Sequence, residues 1–339
     1  MLLRELCELD GVSGSEKVVR DYIIDKIKPY ADEIQIDSIG NLIAKRNGIS
    51  NKKTVMLDAH TDEVGLIISG ITEKGFLEFK TVGGIDTRVM ISKRVRVGKY
   101  KIPGVIGMKA IHLLEKSERT EVPKVKSLYI DIGATSKEEA EKYVELGDYA
   151  AFATDYEELS DNIIKAKALD DRAGCSVLIE LIKEKPLYDT YFCFSAQEET
   201  SLRGAKIAVN RIKPDIGLVI EATTCSDVAP SEEKDYVIRQ GGGAAVSFAD
   251  GTTIANEKFY KKLLSVAKEE NIKAQTKAAI AGGNDAGAIH IAQGGIKCAT
   301  VSVPCRYIHS PAGIASKADI NAVKELAGAF LRRIDEFID

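Results

Sequence analysis

Several features that would fix a function class at once are missing from this 339-residue sequence. No apolar run reaches the 18 or more residues of a membrane-crossing helix, so no membrane partner is expected. The opening stretch "MLLRELCELDGVSGSEKVVRDY" acquires charges too early for a secretory signal, and the expected location is cytoplasmic. Lysine and arginine (47) do not outnumber aspartate and glutamate (51), and the net charge is -4. With no basic stripe, nucleic acid is not an expected partner either. The six cysteines, Cys7, Cys175, Cys193, Cys225, Cys298 and Cys305, lie singly, mostly within apolar runs. None has the paired spacing of a zinc knuckle or redox motif, and all are expected to be buried free thiols. H-E-x-x-H, G-x-S-x-G, a Walker A loop and G-x-G-x-x-G are absent. A triad assembled from distant Ser, His and Asp leaves no such signature, and nothing argues for one.

What is present is an ordinary folded composition, 45% hydrophobic and 29% charged, in a chain long enough for more than one domain. "EKVVRDYIIDKIKPY" has apolar residues at helical spacing after Ser15, a candidate N-cap. "EIQIDSIGNLIAKRNG" and "KKTVMLDAH" read as strands, the second apolar until it stops at His60. Residues 64–158 change texture to short β runs broken by glycine turns, with one helical stretch, "SKEEAEKYVELG". Strands and helices then alternate to the closing helix "SKADINAVKELAGAFLRRIDEFI". The expected class is α/β: a mostly parallel central sheet with helices on both faces, from residues 1–63 and 159–339, interrupted by a β-rich insert at 64–158. The glycine-rich "QGGGAAV" and "AGGNDAG" lack the setting of a phosphate loop and read as turns needing positive φ.

In an open α/β sheet the site lies beyond the carboxyl ends of the strands. Predicted strands end at His60 and Asp62, at Asp170 and Asp171, at Glu198 and Glu199, at Glu221, and at His309; each of these ends carries an acid or a histidine. A single strand-end aspartate is more often a helix cap, as Asp170 or Asp171 could be. Two of only four histidines in the chain falling at such ends makes coincidence a poor account of the set. Converging carboxylates need neutralising cations, and His, Asp and Glu without cysteine suit zinc, cobalt or manganese. His112 and His290 lie away from these ends and read as structural.

The motifs "DAHTDEVG", "ALDDRAGC", "SAQEETSLRGA", "GLVIEATT", "GGNDAGAIHIA" and "VPCRYIHSP", in this order and with an insert after the first, resemble the dinuclear metallo-aminopeptidases of the glutamyl-aminopeptidase and tetrahedral (TET) type, some of whose relatives are labelled endoglucanases. The resemblance covers essentially the whole chain. It implies two divalent metal ions per subunit, one held by His60, Asp170 and Glu221 and the other by Asp170, Glu199 and His309, with Asp170 bridging. It implies Asp62 as acceptor for the free ring N–H of His60, and Glu198 as the base acting on a water between the metals. Two departures stand out: Glu221 where an aspartate is more usual, and Gly313 where an acid is expected.

The expected activity is removal of N-terminal residues from short peptides with a free N-terminus, zinc or cobalt being the first expectation for the metals. The loop "GGNDAGAIH", with Gly283, Asp285 and Ile289, is expected to build the substrate pocket together with the insert. The resemblance further implies a homo-oligomer, a hollow dodecamer of dimers assembled through the insert, although the insert's apolar runs would suit a dimer equally. A deacylase acting on N-blocked substrates, and an assembly protein that has lost its chemistry, are the alternatives. All five presumed ligands and both glutamates are present, against the second.

Overall fold

The computed structural model describes residues 2–338. Helix α1 (Leu2–Glu8) and α2 (Lys17–Ile27) lead into strands β1 (Glu33–Ile36), β2 (Leu42–Arg46) and β3 (Ser50–His60). Six strands follow: β4 (Gly65–Ile71), β5 (Leu77–Val82), β6 (Arg94–Val97), β7 (Ile102–Met108), β8 (Leu128–Asp131) and, after the single helical turn α3 (Lys137–Ala140), β9 (Tyr149–Phe152). The chain continues through β10 (Glu157–Glu158), β11 (Ile163–Ala166), α4 (Leu169–Leu181), β12 (Tyr188–Ser195), α5 (Arg203–Ile212) and β13 (Ile216–Thr224). It closes with β14 (Ala244–Ser247), α6 (Glu257–Glu269), β15 (Ala274–Lys277), α7 (Ala286–Ile289), β16 (Lys297–Arg306), β17 (Gly313–Ser316), α8 (Lys317–Arg332) and α9 (Asp335–Ile338).

The main sheet runs β1-β2-β12-β3-β13-β16-β17-β11-β10, with β14 and β15 branching from β16. Its centre, β12-β3-β13-β16, is parallel, and its flanks are antiparallel. Within the flanks, β1–β2, β10–β11 and β16–β17 are short returns of the chain, which make antiparallel pairs, whereas β2–β12 and β11–β17 pair antiparallel across long stretches of sequence. Alternation along the central strands shows that both faces are covered. Val55, Leu57 and Ala59 of β3 enter the larger core with α1, α2, α4, α6 and α8, whereas Met56 enters the core under α5 and α7. Phe192 and Phe194 of β12 face the first, Cys193 the second. This is why these strands read as unbroken apolar runs until they stop. All six cysteines are buried and unpaired.

The six strands β4 to β9 close into a barrel in the order β4-β5-β8-β7-β6-β9. Its own core includes Leu66, Ile68, Phe79, Ile106, Ile130 and Phe152, and closure removes exposed strand edges. The helix expected over "SKEEAEKYVELG" shrinks to α3, capped by the Ser136 hydroxyl; the chain then turns so that Ala140 and Val144 fill the barrel core. Ser15 does not cap α2. Glu16 holds that position, and its carboxylate accepts the N–H of Gly14 (2.7 Å) and of Gln197 (3.2 Å), tying the helix start to the β12–α5 turn. The closing helix breaks after Arg332 into α8 and α9. No helix among the described residues is long and apolar enough to cross a membrane.

Candidate metal centre

The parallel strands end along one edge of the sheet, and the candidate residues gather there. His60 is the last residue of β3, Glu221 lies in β13, and Glu198 and Glu199 occupy the turn from β12 to α5. His309 follows β16. Asp170 arrives differently, at the start of α4, where the backbone leaves helical geometry at Asp170 and Asp171 and the peptide between them is cis. Ala168 (φ 54°), Gln197 (φ 57°) and His309 (φ 53°) adopt left-handed backbone conformations that cost non-glycine residues energy, and they bracket these side chains.

His60 Nε2 lies 3.1 Å from Asp170 Oδ1 and 3.4 Å from Glu221 Oε1. His309 Nε2 lies 3.2 Å from Glu199 Oε2 and 3.4 Å from Asp170 Oδ2. Two groups result, His60–Asp170–Glu221 and Asp170–Glu199–His309, each with one ligand atom per residue within 4.8 Å of the others. The other ring nitrogen of His60 is 3.1 Å from the backbone carbonyl of Asp62 and 3.4 Å from its carboxylate, so the carbonyl is the nearer acceptor. The Asp62 carboxylate accepts instead from Ser13 Oγ (2.6 Å) and from the N–H groups of Glu198 (3.0 Å) and Glu199 (3.2 Å).

The electrostatics are those of a site short of positive charge. Burial, reinforced by Asp170, pushes Glu199 up to about 8, and burial pushes Glu221 up to about 7 against the attraction of His60. Burial likewise raises Glu198 well above the usual carboxylate range. Burial opposes ionisation of Asp170 too, but hydrogen bonds from His309 and His60 outweigh it and hold this carboxyl low. His309, hydrogen-bonded to Asp170, is pushed up to about 9. Among the described residues, Asp170, Glu199 and Glu221 form ion pairs with histidines alone, with no lysine or arginine. Buried carboxylates that protonate for want of cations, beside two imidazoles, form a donor set that fits divalent metal ions.

A family model described as M42 glutamyl aminopeptidase matches residues 40–326. The chain belongs to the M42 family. It is 32% identical over 342 residues to the lysyl aminopeptidase of Pyrococcus furiosus, covering 98% of this chain and 96% of that one. Among solved structures, an aminopeptidase of the archaeon Desulfurococcus kamchatkensis superposes with a TM-score of 0.94 at 36% identity, covering 98% of this chain and 94% of that one. The TET1 peptidase of Pyrococcus horikoshii, described as assembling into a tetrahedron or a large octahedral shell, gives a TM-score of 0.87 at 33% identity over 97% of this chain and 98% of that one. A Thermotoga maritima structure named endoglucanase gives 0.84 at 35% identity over 100% and 98%.

Within this M42 fold a cavity of about 270 Å³ opens over the centre, bordered by Asp170, Glu198, Glu221 and His309. Gly283 lines it, but Asp285 and Ile289 do not: both are buried behind it, Asp285 accepting from Ser195 Oγ at 2.6 Å and Ile289 packed in the core with residues of α5. The expectation that all three contact substrate is corrected on that ground. Unforeseen lining residues include Thr223, Thr224 and Lys277. Lys277 ends β15, so the strand-end rule would have found it had it been applied to cations. His112 is exposed in a short turn of the insert, whereas His290 Nδ1 lies 2.8 Å from the Ala286 carbonyl. At Gly313 a Cβ would stand 3.1 Å from Cys305 Sγ, so a larger residue there would require its neighbours to shift by a few tenths of an ångström.

Proposed function

We propose that this M42 family member is a cytoplasmic, dinuclear metallo-aminopeptidase that removes N-terminal residues from short peptides. The observation that carries the reading is the pair of ligand groups sharing Asp170 at one side of a cavity that Glu198 also borders. His60, Asp170 and Glu221 would hold one ion, and Asp170, Glu199 and His309 the other, with zinc or cobalt the first expectation and manganese next. Bound divalent ions supply a Lewis acid for the scissile carbonyl and make an attacking water more acidic.

The chain's own groups do the rest. The Glu198 carboxylate, buried and raised in proton affinity, takes a proton from the attacking water and returns it to the leaving amine. Asp62 fixes the backbone of Glu198 and Glu199 together, so that the base and one ligand are set by a single clamp. The Asp62 carbonyl orients His60, leaving Nε2 for the centre. The carboxylates around the cavity give a free, cationic peptide N-terminus a partner that an acylated one lacks. Assembly into a homo-oligomer, a dodecamer built from dimers, is part of the same reading, supported by the shell-forming TET1 relative.

The test is hydrolysis of one short peptide, free and N-acetylated, by protein stripped with chelator and then re-supplied with zinc, cobalt or manganese. Cleavage of the free form alone, and only with metal, is expected. Cleavage of the acetylated form would favour a deacylase, and cellulose hydrolysis that resists chelator would favour the endoglucanase label.

A further inference from the structure

We propose that Glu63 positions the shared carboxylate of Asp170, acting through Lys167 and Arg172, an inference that rests on the two-ion reading above. Asp170 is not placed by its own helix. The backbone at Asp170 and Asp171 is non-helical and Ala168 is left-handed (φ 54°), so helical geometry does not set the direction of that side chain. Its Oδ1 nevertheless stands 3.1 Å from His60 Nε2 while its Oδ2 stands 3.4 Å from His309 Nε2. The two cationic side chains that bracket it in sequence, Lys167 and Arg172, are 1% and 0% exposed, and both lie against Glu63. Lys167 Nζ donates to the two Glu63 carboxylate oxygens at 2.6 and 2.8 Å and to the Leu9 carbonyl at 2.7 Å. Arg172 Nε donates to the Thr61 carbonyl at 2.9 Å, and a terminal nitrogen stands 3.5 Å from Glu63 Oε1.

Stability alone does not explain such a cluster, since a buried ion pair seldom outperforms apolar residues of the same volume, whereas removing one partner strands a buried charge. Its placement supplies the reason. Among the described residues, Glu63 is the only carboxylate paired with Arg172, and it shares Lys167 only with Asp10, at 3.4 Å. Glu63 is itself fixed: its Oε1 accepts the Gly11 N–H at 2.9 Å, and its own N–H donates to the Gly11 carbonyl at 3.0 Å. It follows Asp62, whose carboxylate holds the turn of Glu198 and Glu199 and whose carbonyl faces His60. The stretch 60–63 therefore carries one candidate ligand and ties down the segments that carry two others, Glu199 and Asp170. Glu63 and Lys167 also line one pocket with Asp170, Glu199 and His309. Without the Glu63 charge, Lys167 would keep only Asp10 as a counter-ion and Arg172 would have none, and the segment between them, with Asp170 on it, would shift to accommodate them.

The experiment measures zinc binding to metal-stripped protein by calorimetry, the visible spectrum of the cobalt-loaded protein, and urea unfolding, for wild type, Glu63→Gln, Lys167→Met and Asp10→Asn. Glu63→Gln keeps the shape and removes the charge. Its zinc affinity should fall roughly 10- to 100-fold, the range for groups that support ligands, and its cobalt spectrum should change because a ligand has moved. Lys167→Met removes one of the two anchors and should weaken zinc binding in the same direction, which keeps the test open should the Gln variant not fold. Asp10→Asn is the control: it takes a charge from the same lysine but leaves Glu63 in place, so it should lose stability with less loss of zinc affinity than either. A folded Glu63→Gln or Lys167→Met protein with wild-type zinc affinity and cobalt spectrum overturns the proposal. So does an equal loss of affinity in Asp10→Asn, which would reduce the effect to general destabilisation. Both results leave the two-ion reading intact, whereas wild-type protein that binds no zinc overturns that reading and this inference with it.

Discussion

Asp62 holds Glu198 by its backbone: one carboxylate oxygen accepts the Glu198 N–H at 3.0 Å while the other accepts that of Glu199 at 3.2 Å. Two adjacent glutamates can therefore serve different ends, because the turn that separates their side chains is fixed from outside. Asp62→Ala would leave the buried N–H of Glu198 and the partly buried N–H of Glu199 without their acceptor, while the backbone carbonyl that orients His60 remains. The expected outcome is a 10- to 100-fold drop in metal affinity or kcat/KM, the usual range for groups that support ligands, together with about 1–3 kcal/mol of lost stability. Metal titration and urea unfolding check this. Wild-type metal affinity and turnover in the variant would remove Asp62 from the role.

Glu198 itself is tested by a swap that keeps its shape. Glu198→Gln retains the backbone bond to Asp62 and removes the base. Metal content should be unchanged and turnover should fall by roughly 10²- to 10⁴-fold, the share general-base catalysis commonly contributes. A variant that keeps its turnover would show that the proton goes elsewhere.

Sharing of Asp170 between the two groups predicts an asymmetry in metal loading. His309→Ala removes a ligand from one group only and should leave about one tightly held ion per chain, whereas Asp170→Ala should lose both. Plasma emission analysis after dialysis reads this directly. Loading the wild-type protein should also raise its melting temperature, since an ion at about 1,000 times its dissociation constant adds roughly 4 kcal/mol. Equal stoichiometry in the two variants would contradict a bridging Asp170.

The candidate site was legible in the sequence wherever burial wrote it in apolar letters. β3, β12 and β13 are covered on both faces, so each runs hydrophobic until the crevice, and the polar residue that breaks the run marks the site. Asp170 was found by the same rule although it does not end a strand: the chain leaves β11 at Ala166 and turns at Ala168 before the kinked start of α4. Contacts between residues far apart in sequence were not legible. Lys167 Nζ meets Glu63 at 2.6 and 2.8 Å across 104 positions, both residues lining a pocket with Asp170, Glu199 and His309, and nothing local signals that pairing. Asp285 misled for a related reason. A glycine-rich stretch reads as exposed loop, yet its aspartate is turned inward onto Ser195. The antiparallel flanks were likewise hidden, because a short strand's periodicity is the same in either orientation.

The barrel meets the segment after α1 through an ion pair between Arg96 and Asp10 whose pH response can be derived. Arg96 of β6 donates to both oxygens of Asp10, Nε at 3.0 Å and a terminal nitrogen at 2.5 Å, and Lys167 and Lys101 lie 3.4 and 3.6 Å from the same carboxylate. Burial would raise the proton affinity of Asp10, but the bond from Arg96 and the charge of Lys167 outweigh it and leave the carboxyl below its ordinary value. A carboxyl held low in the folded state contributes stability that is present above its unfolded value near 3.9 and is lost as pH falls through the folded one. Asp10→Asn should therefore cost about 1–2 kcal/mol at pH 7 by urea unfolding, and this difference from wild type should shrink below about pH 4 as wild-type Asp10 itself protonates. A difference that stays constant between pH 7 and pH 3 would mean that the charge at this junction contributes nothing to stability.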